Sequence, residues 1–409
     1  MLLKYLDFVD LTYKPNETDL ICTFSIEPEG LSLREAAGGV AAESSVGTWT
    51  ELTTEQPYVK RLAAHVFGVE GSVVKIAYPI ELFEPANMPN ILSSVAGNVF
   101  GLKALKNLRL LDINFPKQLL NSFKGPTFGI GGIRKLLKVS KRPLVGTIIK
   151  PKLGLETKDH SKIAYEAWFG GCDIVKDDEN LSSQRFNPFE DRLAQTLESR
   201  DKAQEETNER KVYMINITAE TQTMLSRAQT VVDQGGEYVM VDILTCGWSA
   251  LQTLRDQNFK LVIHAHRAGH AAFTKNPLHG IAMKPIATVA RVIGVDQLHV
   301  GTVVGKMSET KTEVIENIHA CKDEMGFLKS VLPVASGGLH PRLVPALIET
   351  FGNDFVIQAG GGIHGHPEGT VAGAKAMRQA VDATLYGKTL EEYAKNHQEL
   401  AAALKKWKT

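Results

Sequence analysis

Eight short apolar runs follow one another from Pro143 onward, and their ends are polar or rich in glycine. The runs cover residues 144–149, 172–177, 212–218, 238–244, 261–266, 297–304, 332–336 and 355–359. They begin roughly 20–40 residues apart with helical stretches between, the repeat of a βα unit. Most are nearly continuous in apolar character rather than alternating, as expected of parallel strands covered on both faces. Eight units over about 240 residues predict an α/β fold, a (β/α)8 TIM barrel. A doubly wound open sheet is the rival, and it seldom needs eight units without a glycine fingerprint after strand one.

Residues 1–125 read differently. Strand-like runs at 20–26, 59–67, 73–78 and 108–113 enclose a helix opened by Ser32-Leu33-Arg34-Glu35, a capping-box pattern, and a second helix at 91–96. The order β-α-β-β-α-β is that of an α+β ferredoxin-like sandwich. Pro116, Pro126 and the glycines 129, 131 and 132 mark a linker and then a short basic helix. The expected organisation is a ferredoxin-like domain over 1–125, a barrel over 126–385 and a helical tail over 386–409. Lys+Arg and Asp+Glu both total 46, so no net field recruits nucleic acid or an acidic membrane. The four cysteines form no C-x-x-C, no run approaches a membrane span, and Asp7 and Asp10 interrupt any signal-peptide core. The expectation is a soluble cytoplasmic protein.

Barrel enzymes build their sites at the C-terminal ends of the strands. Here those ends hold Lys150-Pro151-Lys152, Lys176-Asp177-Asp178-Glu179, Asn216, Asp242, His264-Ala265-His266-Arg267, His299, Lys306, Ser336-Gly337-Gly338 and Gly360-Gly361-Gly362. Scattered surface charge would not fall in phase with eight strands. Asp178 and Glu179 suit a hard cation such as Mg²⁺. A protonated Lys176 is no metal ligand, so it is either a counter-ion or a chemically changed group. The glycine-rich ends follow strands seven and eight, where barrels commonly hold phosphate. Arg267, His299 and Lys306 stand ready for a second anionic group. Lysines 150, 152 and 306 suit proton donation or stabilisation of enediolate charge. A buried, merely hydrogen-bonded histidine remains the alternative for His264 or His270.

Long motifs then resemble one family. They are Gly146-Thr-Ile-Ile-Lys150-Pro-Lys152-Leu-Gly-Leu155, Gly170-Gly-Cys-Asp-Ile-Val-Lys176-Asp-Asp-Glu-Asn180, His264-Ala-His-Arg-Ala-Gly-His270, Gly301-Thr-Val-Val-Gly-Lys306-Met307, Pro333-Val-Ala-Ser-Gly-Gly-Leu-His340 and Gln358-Ala-Gly-Gly-Gly362. In the first domain Ala42-Glu43-Ser-Ser-Val-Gly-Thr48-Trp49-Thr50 and Gly97-Asn98-Val-Phe-Gly101 join them. Together they resemble the ribulose-1,5-bisphosphate carboxylase (RuBisCO) large subunit over nearly the whole chain, most like the archaeal form III branch without small subunits.

The resemblance implies that Lys176 is carbamylated by CO₂ and, with Asp178 and Glu179, binds Mg²⁺. It implies proton transfer at C2 by Lys150, with Lys152 and His266 supporting the enediolate and Lys306 stabilising the new carboxylate. Arg267, His299, Ser336, Gly337, Gly338, Gly360, Gly361 and Gly362 would hold the phosphates of ribulose 1,5-bisphosphate, with CO₂ and O₂ as the competing gases. Glu43, Thr48, Trp49 and Asn98 would reach the site of a partner subunit, implying a homodimer or a ring of dimers. Ile148 stands where plant and bacterial members usually have Thr, with Thr147 one step earlier, and Met307 replaces a usual Leu. Two rivals remain: a RuBisCO-like enolase acting on a phosphorylated diketone, and a non-catalytic scaffold protein.

Overall fold

A computed structural model describes residues 5–50, 52–305 and 309–408. Its contacts group into two compact units, one of residues 1–124, 269–293 and 325–328, the other of residues 125–268, 294–324 and 329–409.

The first unit is a five-stranded sheet. Strands β1 (Leu20–Pro28), β2 (His65–Glu70), β3 (Val73–Tyr78) and β4 (Leu105–Asn114) stand in the order β4-β1-β3-β2, all antiparallel, the order of a ferredoxin-like sheet. The two-residue β10 (Gly280–Ile281) extends it in parallel beside β4. The helix Leu33–Glu43 starts where its capping box requires: Ser32 accepts from Glu35 N, and the Glu35 carboxylate accepts from Ser32 N. Residues 59–67 are not one strand. Pro57 opens a 3-10 turn, Pro57–Leu62, so the strand begins only at His65.

The second unit is a closed barrel of eight parallel strands: β5 (Leu144–Ile148), β6 (Ile174–Lys176), β7 (Val212–Asn216), β8 (Tyr238–Asp242), β9 (Val262–His266), β11 (Gln297–His299), β12 (Leu332–Ser336) and β13 (Val356–Gln358). Several strands are shorter than their apolar runs. The fifth residue of 297–304 is Gly301 at φ +92°, outside the extended region, and β11 stops at His299. Beyond Asp242 the chain winds into the helical turn Ile243–Cys246.

Alternation along the strands organises the interior. Leu144, Ile174, Val212, Met214, Tyr238, Met240, Val262, Leu332, Val334 and Val356 form one buried cluster, closed below by Ile133 and Leu137 of the helix Gly129–Leu137. Continuing the same parity toward the C-terminal ends gives Lys176, Asn216, Asp242, His264, His266, Ser336 and Gln358. One face of each strand therefore builds an apolar floor and then a polar mouth. A Cβ on Gly146 would lie 2.3 Å from Gln358 Oε1, so this glycine makes room for the buried carboxamide. The tail consists of the helices Leu390–Ala394 and Gln398–Lys406. Among the described residues no helix is long and apolar enough to cross a membrane.

Candidate active site at the barrel mouth

The end of β6 is anchored by a residue that does not face the site. Asp177, fully buried, accepts from Arg192 Nε at 3.1 Å, Tyr213 Oη at 2.6 Å and Asn216 N at 3.0 Å. His160 Nε2 lies 3.1 Å away. Burial opposes this charge, but the Arg192 guanidinium and the surrounding donors hold the carboxyl well below the usual carboxylate range. Asn216 secures the next turn, donating from Nδ2 to Glu179 O at 3.0 Å and to Leu181 O at 2.9 Å.

This frame aims Lys176, Asp178 and Glu179 into the mouth. Lys176 is completely buried, with Nζ 2.6 Å from Asp177 O and 3.7 Å from Glu179 Oε2. Desolvation pushes its ammonium below the usual lysine range, against the pull of Glu179, Asp178, Asp242 and Asp177. Lys150 Nζ reaches across from the end of β5 to Asp178 Oδ2 at 2.5 Å. Lys152 is exposed and donates to Asn180 Oδ1 at 3.3 Å.

The histidines divide into two kinds. His266 Nδ1 lies 2.5 Å from Asp242 Oδ1, and its Nε2 lies 3.6 Å from Glu179 Oε2. An ionised carboxylate only accepts, so Asp242 fixes the proton on Nδ1 and leaves Nε2 facing the acidic cluster. His264 is wholly buried: Nδ1 meets Gln297 Oε1 at 2.9 Å and Nε2 meets His299 Nε2 at 2.9 Å. Burial drives both His264 and His299 well below the usual imidazole range, so the pair is neutral. His264 is thus the hydrogen-bonded core histidine, and His299 has one nitrogen committed to it.

Arg267 is buried and ion-paired through Nη2 to Glu309, while its Nη1 has no hydrogen-bond partner among the described residues. The glycine-rich ends lie after β12 and β13. Gly337 and Gly338 take φ +124° and +73°, and a Cβ on Gly361 would meet nothing within 4 Å. Both segments expose backbone at the mouth, with Ser336 half-buried beside them. On β5, Thr147 Oγ1 donates to Ala359 O at 2.7 Å and lies 2.9 Å from His364 Nε2, on the strand face opposite Ile148. It does not replace a hydroxyl at position 148.

Lys150, Lys176, Asp178, Glu179, His266, Arg267, His299, Ser336 and the two glycine segments all belong to the barrel unit. Glu43, Thr48, Trp49 and Asn98 belong to the N-terminal unit, where Tyr5 Oη donates to Glu43 at 2.9 Å and Trp49 is 81% exposed. Lys306 and Met307 lie outside the described residues. Asp242 and Asn216 are polar strand ends to which the sequence alone assigns no role. Glu309 gave no local signal at all, because its partner lies 42 residues away.

Two family models cover the chain: the ribulose bisphosphate carboxylase large chain N-terminal domain over residues 7–119 and the catalytic domain over residues 129–407. A protein named ribulose bisphosphate carboxylase from Methanocaldococcus jannaschii is 50% identical, covering 98% of this chain and 100% of its own. One of the same name from Pyrococcus furiosus is 52% identical, covering 98% and 97%. The octameric Rubisco of Pyrococcus horikoshii in complex with sulfate superposes with a TM-score of 0.96 at 50% identity, covering 99% of this chain and 97% of its own. The dimeric archaeal Rubisco of Hyperthermus butylicus does so at 0.92 with 44% identity, covering 98% and 99%. With both domains matched and half of the residues identical from end to end, this chain belongs to the ribulose bisphosphate carboxylase large-chain family.

Proposed function

We infer that this chain carboxylates ribulose 1,5-bisphosphate with CO₂ and water to two molecules of 3-phosphoglycerate, with O₂ competing for the same carbon. The observation that carries the reading is Lys176: a lysine amine wholly buried at a barrel mouth, beside two carboxylates, with its charged form disfavoured.

The residues fit Mg²⁺. Asp178 and Glu179 are hard oxygen donors. Among the described residues no group of three His, Cys, Asp or Glu could hold a metal, so a further oxygen donor is wanted beside these two. A carbamate on Lys176 would supply it: the ammonium loses one proton, the neutral Nζ then bonds to the carbon of CO₂ and loses a second, and a cation becomes an anionic oxygen ligand. Burial favours the neutral amine this step requires. Mg²⁺ bound there would polarise the ketone and adjacent hydroxyl of the substrate and acidify the neighbouring C–H.

The chain's own groups do the rest. Lys150, within reach of Asp178, moves a proton at C2. His266, held by Asp242, presents Nε2 to the developing enediolate, and Lys152 adds a cation at the rim. Lys306 stabilises the carboxylate formed from CO₂. Ser336, Gly337, Gly338, Gly360, Gly361 and Gly362 offer hydroxyl and backbone N–H donors to one phosphate. Arg267 and His299 flank the other. A phosphate at Arg267 would displace or share its bond to Glu309.

Glu43, Thr48, Trp49 and Asn98 complete the site of a second copy, so the working unit is a homodimer or a ring of dimers without small subunits. Two observations support this: Trp49 projects into solvent as an interface anchor would, and the relatives include dimeric and octameric enzymes.

Fixation of radiolabelled CO₂ with ribulose 1,5-bisphosphate and Mg²⁺ under anaerobic conditions tests the reading. Label should appear in 3-phosphoglycerate. Exchange of the substrate's C3 proton without incorporation of label would instead establish an enolase, and loss of both would leave a scaffold.

A further inference from the structure

The helix Gln398–Lys406 and Trp407 hold the segments that follow both glycine-rich loops. The ring of Trp407 stacks on His340 with centroids 5.6 Å apart and planes at 8°. Arg342 Nη2 donates to Leu404 O at 2.9 Å. His366 Nε2 donates to Glu399 O at 2.9 Å, its other nitrogen accepting from Glu368 N at 3.1 Å. Lys406 Nζ donates to Gly365 O. His340 and Arg342 stand two and four residues beyond Gly338, the second in the 3-10 turn Pro341–Leu343, while Gly365 and His366 stand three and four residues beyond Gly362.

The loops also touch each other through backbone. A Cβ on Gly362 would lie 1.9 Å from Leu339 O and 2.8 Å from His340 Cα. Glycine is required there by contact, and movement of one loop moves the other. The helix Gln398–Lys406 is itself seated, with Leu400, Ala403 and Leu404 buried. Gln379 Oε1 accepts from Leu400 N at 3.0 Å, and Gln379 Nε2 donates to Glu399 at 2.9 Å. Burying that apolar stripe is enough to hold a helix on a barrel. Four further links join it to the barrel, two to the segment that follows each glycine-rich loop.

We propose that the helix Gln398–Lys406 with Trp407 is a positioning element for anion binding, setting the spacing between the donors of Ser336–Gly338 and those of Gly360–Gly362. The inference rests on reading these loops as phosphate sites. Gly337 and Gly338, both at positive φ, have the backbone freedom to drift. An unbraced cradle must be ordered by its ligand, and that ordering is subtracted from affinity. None of the four links reaches Lys176, Asp178 or Glu179, so the effect belongs to substrate binding rather than to the chemistry at the metal.

The test uses the enzyme carrying Lys406→Met with Trp407→Ala; Lys406 is exposed and Trp407 half-buried, so an unchanged circular-dichroism spectrum first establishes that the fold is kept. KM for ribulose 1,5-bisphosphate and the inhibition constant of inorganic phosphate should both rise about tenfold, less than the roughly hundredfold cost of an ångström-scale misplacement. The kcat should stay within about twofold, the signature of lost ground-state binding. Trp407→Phe, which keeps a stacking ring, should restore wild-type constants against Trp407→Ala. Unchanged KM and phosphate inhibition, or a loss confined to kcat, would overturn the proposal. Ser336→Ala separates the two layers of inference. If it also leaves KM and phosphate inhibition unchanged, the phosphate reading itself falls. If it raises both while the double variant does not, the brace alone is wrong.

Discussion

Asp242→Asn isolates one hydrogen bond whose consequences for turnover follow from its geometry. In the native chain the Asp242 carboxylate lies 2.5 Å from His266 Nδ1, and this bond orients the ring so that Nε2 faces Glu179 Oε2 at 3.6 Å. Asn keeps the volume and one acceptor oxygen but removes the charge, and its NH₂ group can present the wrong edge to the imidazole. A hydrogen bond to a charged partner is worth about 1.5–3 kcal/mol. At about 1.36 kcal/mol per decade, its loss should reduce kcat by roughly 10- to 150-fold if His266 acts in the transition state. The assay is initial-rate fixation of radiolabelled CO₂ at saturating bisphosphate and Mg²⁺, with C3 proton exchange measured in parallel. Since His266 is placed beside the enediolate, both rates should fall together. The melting temperature should fall modestly, by the worth of that one bond, because the apolar cluster below is untouched. A kcat within about twofold of wild type, with His266→Ala strongly impaired, would refute the idea that Asp242 sets the working tautomer.

Lys176→Met should abolish fixation and the trapping of radiolabelled CO₂ on the protein, and because Met nearly keeps the buried volume while removing an ammonium that burial disfavours, its melting temperature should be unchanged or raised; a marked loss of stability would contradict that account. Lys306→Ala should lose carboxylation by several orders of magnitude, yet keep C3 proton exchange, because Lys176, Asp178 and Glu179 remain; equal loss of both would break the division of labour. Stability should fall in two stages on acidification. His264 and His299 have depressed values, so their contribution is complete above about pH 6.5 and declines as the unfolded chain takes up protons that the native pair refuses. Asp173 and Asp177, also depressed, contribute above about pH 4 and lose that contribution as pH falls toward their native values. A melting temperature flat from neutrality down to about pH 5 would count against the buried histidine pair.

The barrel was legible because its construction rule is periodic. Eight apolar runs become eight strands, and parity within a strand leads from Ile174 in the floor to Lys176 in the mouth. The same parity explains why Asp177 and Asp178, adjacent and chemically identical, have opposite fates: one is locked under Arg192, the other meets Lys150 in the site. Local pattern says less about pairings between distant segments. Arg267 reads as a free cation at a strand end, but folding places Glu309 against it, and no period links positions 42 apart. Gln297 and Gln358 interrupt apolar runs, and the runs do not say what they meet: Gln297 supports His264, while Gln358 fills the space that Gly146 leaves open. Lys176 remained ambiguous in sequence for a related reason. A counter-ion and a reactive amine use the same residue, and what separates them is burial. Closing the barrel places this lysine at zero exposure beside carboxylates that do not fully compensate its charge. The free energy that makes its ammonium unfavourable comes from the packing of the strands around it. Any substitution that lets water reach Lys176 should therefore weaken its reaction with CO₂ before it weakens the fold.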